Sequence, residues 1–100
     1  MIHIVWEFRV RAGREREFEE RYSASGDWAR LFARSDGYRG TTLMKDAARP
    51  DRYLVIDVWR DAAAFAAFKA VHGAEYAALD RECEALTEAE VPVGTFEPLG

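Results

Sequence analysis

The amino-acid sequence predicts an α+β fold, and three stretches carry that prediction. Ile2 to Arg11 alternates apolar and polar side chains, the period of two that a strand with one buried face shows. Arg52 to Trp59 is apolar at nearly every position, which indicates a strand covered on both faces. From Ala62 to Leu86 the large apolar residues recur at spacings of three and four, which is typical of one helix face.

The first strand is followed by two predicted helices. Ala12-Gly13 turns the chain, and Arg14 to Ser25 is a helical segment whose many charges are expected to face solvent. Gly26 ends that helix. Asp27 can cap a second, short helix from Trp28 to Arg34, because its carboxylate can accept from the free amides of the first turn.

Two strands and a hairpin loop come next. Ser35-Asp36-Gly37 closes the short helix, and Tyr38 to Lys45 is predicted to be the second strand. The polar segment Asp46 to Asp51 then forms a hairpin loop before the apolar strand that begins at Arg52.

The long helix is expected to begin at Asp61, a good N-cap residue, and to extend to about Leu86. Gly73 interrupts the pattern and indicates a bend. Thr87 to Glu90 resembles a capping box and predicts one last helical turn. Val91 to Glu97 is then the final strand.

The order β-α-β-β-α-β predicts a ferredoxin-like plait with an antiparallel sheet, in which the first and third strands are central. The helices cover one face of the sheet. The other face would carry Val5 and one of two sets: Leu54, Ile56 and Val58, or Tyr53, Val55 and Trp59. An exposed apolar sheet face is usually an interface, so we expect a homodimer that packs sheet to sheet.

The totals exclude several classes of protein. The 100 residues suit one domain, residues 1–100, and 18 acidic against 14 basic residues leave no basic footprint for nucleic acid. No run approaches the length of a membrane span, and Ile2 to Trp6 is too short for a signal peptide. Cys83 is the single cysteine, which fits the reducing cytoplasm. The abundant arginine and alanine are associated with bacterial genomes rich in GC.

His72 and Tyr76 are the candidate catalytic residues. If the long helix keeps its phase, both side chains share the face of Phe68 and point toward the core or a pocket. A histidine there can act as a base or a donor near neutral pH, and a tyrosine hydroxyl can donate to a developing oxyanion. Alternatively, His72 is satisfied by a backbone carbonyl beside Gly73, and Tyr76 belongs to the core.

Large aromatic side chains are the candidate lining of a pocket, because flat rings suit planar ligands. The same residues could equally form the core. They are Trp6, Trp28, Phe32, Trp59, Phe65 and Phe68.

Two strand carboxylates, Asp57 and Glu7, are a further candidate site. His3 and Arg9 lie on Glu7's side of the first strand, so adjacent central strands could gather a buried polar cluster. Such a cluster could perform acid/base chemistry, or its ion pairs could set the register of a dimer.

No metal or cofactor site is predicted. His72 and Glu75 form a lone H-x-x-E pattern and His3 is the only other histidine, whereas metal sites usually need three or four ligands. The sequence has no P-loop and no G-x-G-x-x-G motif, so nothing points to a nucleotide.

Four segments carry a resemblance to a known family: Phe8 to Glu15, Ser35 to Gly40, Asp51 to Tyr53, and Val58 to Asp61 with Phe65 and Phe68 after it. In these segments the chain is similar to antibiotic biosynthesis monooxygenase domains, of the dimeric α+β barrel superfamily. The resemblance implies a homodimer and an oxygenase that needs no cofactor. Such enzymes oxidise phenolic substrates, for example anthrone-type polyketides, to quinones, and the deprotonated substrate supplies the electrons.

Relatives that degrade haem use an asparagine on the first strand and a tryptophan and a histidine on the second helix. The matching positions here are Glu7 or Phe8, Phe68 and Ala78, so the resemblance does not extend to haem.

The sequence thus leads to the hypothesis of a small cofactor-independent monooxygenase that acts on an aromatic metabolite between sheet and helices. In it, His72 assists deprotonation and Tyr76 hydrogen-bonds the oxygen-bearing intermediate. Two alternatives stay open: a non-catalytic dimeric module that binds a small ligand or serves as a structural partner, and a cyclase or isomerase on the same fold.

Overall fold

The chain forms four strands and three α-helices in this computed structural model, which describes all residues from 1 to 100. A short 3-10 turn, Glu84–Leu86, precedes the last strand. The elements are β1 (Ile2–Val10), α1 (Glu15–Tyr22), α2 (Asp27–Phe32), β2 (Tyr38–Lys45), β3 (Arg52–Trp59), α3 (Ala62–Cys83) and β4 (Thr87–Phe96).

The strands form one antiparallel sheet in the order β2-β3-β1-β4. The two most apolar strands, β1 and β3, therefore lie at its centre, as their patterns predict. The α+β fold and the ferredoxin-like plait are both confirmed. None of the helices is long and apolar enough to cross a membrane.

The register of the central strands decides which residues face the helices. Burial alternates strictly along β3, and Tyr53, Val55, Asp57 and Trp59 are the buried residues. Leu54, Ile56 and Val58 consequently point to the face that no helix covers. Of the two sets left open by the sequence, this is the set that accompanies Val5, which pairs with Ile56.

The last strand begins earlier than the sequence predicts, and the predicted final helical turn is wrong. Thr87 to Glu90 belongs to β4, where Thr87 pairs with Val10 and Glu90 with Phe8. Pairing with the free edge of β1 satisfies these backbone groups better than one isolated turn would, because a single turn leaves most of its amides and carbonyls without partners.

Helix α3 starts as its sequence predicts and bends where a glycine indicated it. The Asp61 carboxylate accepts a hydrogen bond from the amide of Ala64 at 2.8 Å. The backbone of His72, directly before Gly73, has φ −113° and ψ 25°, which lies outside the helical range. The residues before and after His72 therefore do not share one continuous helical phase.

Aromatic side chains dominate the core between the sheet and the helices. Trp59 is fully buried at its centre, and its ring centroid lies between 5.1 and 5.4 Å from those of four neighbours. The neighbours are Phe32, Tyr38, Phe65 and Phe68. Gly37 lets the loop before β2 approach α3, since a Cβ there would overlap the Cβ of Ala64.

Candidate functional site

A half-open cleft lies between the helix-covered face of the sheet and the helices, beside the aromatic core. The space between its walls is about 380 Å³ when the open solvent at its mouth is counted, but the centre of a water molecule can reach only about 30 Å³ of it. Most of its lining is apolar or aromatic, and the rest is acidic. The lining residues are Trp6, Phe8, Tyr22, Trp28, Phe32, Val55, Asp57, Tyr76, Asp80 and Glu90.

Regular spacing along each element brings the wall residues together. Residues that are two positions apart on a strand share a face, so Val55 lies beside Asp57 on β3. Residues that are four positions apart on a helix share a face, so Tyr76 lies beside Asp80 on α3. In the cleft wall, the rings of Trp28 and Tyr76 pack edge to face at 5.1 Å between centroids.

Asp57 is the one charged residue of the buried set, with 8% of its surface exposed. Its Oδ1 accepts a hydrogen bond from the Thr41 hydroxyl at 2.7 Å, and that hydroxyl lies 2.5 Å from the Tyr38 hydroxyl. No basic side chain pairs with the carboxylate. Burial therefore raises the pKa of Asp57 to about 6, against the opposing effect of the Thr41 hydrogen bond. A carboxylate in this state can take up a proton near neutral pH.

Tyr76 presents a phenol to the same cleft. Burial raises its pKa, and the nearby charges of Asp80, Glu90 and Asp57 raise it further. The Tyr76 hydroxyl thus stays protonated at neutral pH and is available as a hydrogen-bond donor.

His72 does not line the cleft. Its Nδ1 lies 3.2 Å from Oε2 of Glu75, which is also 2.9 Å from the Arg34 guanidinium, and 21% of the histidine side chain is exposed. Its ring packs against that of Phe68 at 5.3 Å between centroids, so His72 lies beside the core, with its Nδ1 toward the surface pair of Glu75 and Arg34. Of the two candidate catalytic residues, only Tyr76 lies in the cleft wall.

The six candidate pocket residues divide into two groups. Trp6, Trp28 and Phe32 line the cleft. The other three, Trp59, Phe65 and Phe68, are absent from the lining and pack against one another and against Phe32. They form the core beside the cleft.

The two strand carboxylates do not form one cluster. Glu7 pairs across the sheet with Leu54, on the face that no helix covers, whereas Asp57 pairs with Ile4 and faces the helices. Glu7 accepts from the Arg52 guanidinium at 2.9 Å, and this hydrogen bond lowers its pKa. Adjacency of β1 and β3 was predicted correctly, but the register separates the two acids.

Asp80 and Glu90 were missed by sequence reasoning. Asp80 carried a signal, because it follows Tyr76 by one helical turn. Glu90 carried none, since it reaches the cleft only through the pairing of β4 with Phe8 of β1. Nowhere do three histidine, cysteine, aspartate or glutamate side chains gather in an arrangement that could hold a metal ion.

Comparisons with known proteins agree with this architecture. The family model described as antibiotic biosynthesis monooxygenase matches residues 1–78. SnoaB of Streptomyces nogalater, a cofactor-independent oxygenase, is 27% identical, with a TM-score of 0.77 over 99% of this chain and 93% of that one. A search of curated protein sequences gave no match.

Two more distant structures show the same fold. A candidate antibiotic biosynthesis monooxygenase from Bordetella bronchiseptica is 20% identical, with a TM-score of 0.79 over 98% of this chain and 96% of that one. Another from Nitrosomonas europaea is 17% identical, with a TM-score of 0.75 over the full length of both chains. With the family model matching more than three quarters of its residues, the chain belongs to the antibiotic biosynthesis monooxygenase family.

Proposed function

We propose that this protein is a cofactor-independent monooxygenase that acts on an aromatic, phenolic metabolite bound in the cleft. One observation carries the proposal: Asp57, a buried carboxylate without a basic partner, lies in a wall that is otherwise mostly aromatic. The family and the likeness to the oxygenase SnoaB support the reaction class.

In this proposal Asp57 takes the proton from the substrate. An ordinary phenol has a pKa near 10 and an ordinary aspartate one near 4, so proton transfer between them would cost about 8 kcal/mol. Since burial raises the pKa of Asp57 to about 6, the same transfer costs about 5 kcal/mol. The buried site thereby lowers the cost of forming the phenolate by about 3 kcal/mol.

The phenolate then reacts with molecular oxygen. For an anthrone-type substrate, a ring CH₂ and O₂ become a ring carbonyl and one water molecule, and all four electrons come from the substrate. Tyr76, which stays protonated, would donate a hydrogen bond to the oxygen-bearing intermediate. Trp6, Trp28 and Phe32 would hold the flat ring and exclude water.

Oxygen uptake by purified, metal-free protein with a panel of hydroxyanthrones and hydroquinones tests this function. We expect uptake without added cofactor and a loss of at least about a hundredfold in Asp57→Asn, the usual contribution of a general base. His72→Ala and the exposed Asp36→Asn should keep uptake within about twofold of wild type, a difference of under 0.5 kcal/mol in barrier.

Two results would count against this assignment. Full activity in Asp57→Asn would remove the aspartate from the reaction, and a large loss in His72→Ala would return the base to the histidine.

A non-catalytic ligand-binding or structural module is the second candidate, and one observation favours it. The whole cleft has room for only a few water molecules, because aromatic rings such as that of Phe32 crowd it. No oxygen uptake with any substrate of the panel would favour this candidate. Conversion of substrate under strictly anaerobic conditions would instead favour a cyclase or isomerase.

We further propose that two chains pack sheet to sheet, as proteins of this family are typically dimeric. The uncovered face carries Leu54, Ile56 and Val58 on the central strand and extends to the exposed Met44 and Phe96. Burying such a face is favourable by about 25 cal/mol per Å² of apolar area. Arg52, bonded to both Glu7 and Asp46, supplies charged groups at this face that could set the register of the dimer.

Ile56→Asp is expected to convert this dimer to a monomer, because it would bury an unpaired carboxylate at the centre of the interface. Light scattering at micromolar concentration should give the mass of two chains for wild type and of one for the variant. Val71→Asp, at an exposed position on α3, is the matched control and should remain dimeric. A monomeric wild type would refute the interface.

A further inference from the structure

The cleft that the proposed function uses is acidic, and no basic side chain lines it. Three carboxylates line it, Asp57, Asp80 and Glu90, and no lysine, arginine or histidine does. Elsewhere, eleven ion pairs connect acidic side chains with arginine or lysine. None of the three lining carboxylates takes part in an ion pair.

The charge of the cleft carboxylates raises the pKa of neighbouring groups. Burial raises the pKa of Glu90, and the charge of Asp80 raises it further. The pKa of Tyr76 is raised by burial and by all three cleft carboxylates. Lys69, whose Nζ lies 5.3 Å from the centroid of the Tyr76 ring, is outside the lining. A metal ion would not neutralise the cleft, because its carboxylates do not gather in metal-binding geometry.

The remaining wall is built from the faces and edges of aromatic rings, with Trp6, Trp28 and Tyr76 among them. Ring faces attract cations through their quadrupole, most strongly where water is excluded. Carboxylates and aromatic rings thus favour the same kind of ligand group, and the three carboxylates would repel an anionic group. Folding alone does not explain this combination, because a buried carboxylate without a basic partner, as at Asp57, is destabilising.

We propose that the ligand of this cleft is an aromatic compound that bears a cationic group, of the phenol-ammonium type. The phenol would lie deep in the cleft beside Asp57, which is almost fully buried, and the ammonium group nearer the mouth, beside Asp80 and the exposed Glu90. This inference rests on the cleft of the proposed function and names the substrate class that it selects. A cation at the mouth would also favour the phenolate that forms when Asp57 takes the proton.

Isothermal titration with three phenols of similar size tests the charge preference at pH 7.5. The probes are tyramine, which is cationic, para-ethylphenol, which is neutral, and para-hydroxyphenylpropionate, which is anionic. We expect tyramine to bind at least tenfold more tightly than para-ethylphenol, which corresponds to about 1.4 kcal/mol, and the propionate to bind most weakly.

Variants assign the preference to the cleft. In the double variant Asp80→Asn with Glu90→Gln, tyramine should bind no better than para-ethylphenol, while the affinity for para-ethylphenol changes less than twofold. Glu88→Gln removes the same charge from β4 at an exposed position outside the lining, and it should keep the preference. Equal affinities in wild type, a preference that survives the double variant, or no binding of any probe at millimolar concentration would overturn the inference.

The two proposals fail in different ways. Uptake of oxygen with neutral hydroxyanthrones, together with no preference for tyramine, would leave the oxygenase standing and refute the cationic ligand. A clear preference for tyramine without oxygen uptake on any substrate would support the cationic ligand and count against the oxygenase.

Discussion

Asp57→Asn is expected to stabilise the protein at pH 8 by about 3 kcal/mol and to have little effect at pH 3, because the free energy of unfolding carries the cost of a buried charge. The variant removes the carboxylate charge and keeps an oxygen that can accept from the Thr41 hydroxyl. Tyr38, which lies behind Thr41, keeps its own hydrogen bond.

The direction follows from proton binding. The pKa of Asp57 is about 6 in the folded protein and 3.8 is the ordinary value, which the unfolded chain has. Below the lower value both states are protonated, so the folded state carries no penalty. Between the two values the unfolded chain releases its proton first, which favours unfolding, and above the higher value the penalty is complete.

Urea denaturation of wild type and variant at matched protein concentration, from pH 3 to pH 8, measures this difference. Comparing the two proteins at each pH cancels the other titrating groups, provided that they are unaffected by the substitution. The control is Asp36→Asn, at an exposed aspartate without a side-chain partner. Its difference in free energy of unfolding from wild type should not change with pH. A variant that is less stable than wild type at pH 8 would contradict the burial of an uncompensated charge.

If Asp57 lowers the free energy of unfolding, its presence requires a reason other than folding. Natural proteins retain such costs chiefly where activity needs them. If Asp57→Asn gains stability and loses oxygen uptake together, the two measurements support a functional carboxylate more strongly than either does alone.

Trp59→Ala is expected to lower the free energy of unfolding by about 3 to 5 kcal/mol, the usual cost of truncating a large buried aromatic residue. Trp59 is fully buried, and four aromatic rings surround it. The strand itself cannot shift to fill the space, because β3 is hydrogen-bonded to strands on both sides. The free energy of unfolding of a small domain is only about 5 to 15 kcal/mol in total, so the variant is near the limit of folding.

Trp59→Phe keeps the experiment interpretable if the alanine variant does not fold. The indole Nε1 of Trp59 has no hydrogen-bond partner, so phenylalanine loses packing volume but no hydrogen bond. We expect a loss of about 1 to 2 kcal/mol, smaller than that of alanine. Val71→Ala, at a residue that is 74% exposed, should change stability by less than about 0.5 kcal/mol.

The same variant separates core from cleft. Trp59 does not line the cleft, so Trp59→Phe should leave ligand affinity within about twofold while lowering stability. An affinity loss of tenfold or more would mean that the ring contributes to binding, as its sequence position first suggested.

Local sequence patterns determined the element order, the central strands and the start of α3. Alternation in β1, the apolar run in β3 and the cap at Asp61 are each encoded within a few neighbouring residues. Hence the plait could be predicted without coordinates, whereas the set of β3 residues that faces the helices could not. The capping pattern at Thr87 is equally local, but pairing of β4 with β1 outweighed it.

Tertiary structure decided which side chains meet. Asp57 and Glu7 are separated by strand register, and His72 packs against Phe68 outside the cleft that Tyr76 lines. Glu90 enters the cleft through a strand that pairs with the opposite end of the chain. Periodicity predicts the face on which a residue lies within its own element, but the composition of a site depends on how elements are aligned with one another, and that alignment is set by the packing of the whole core.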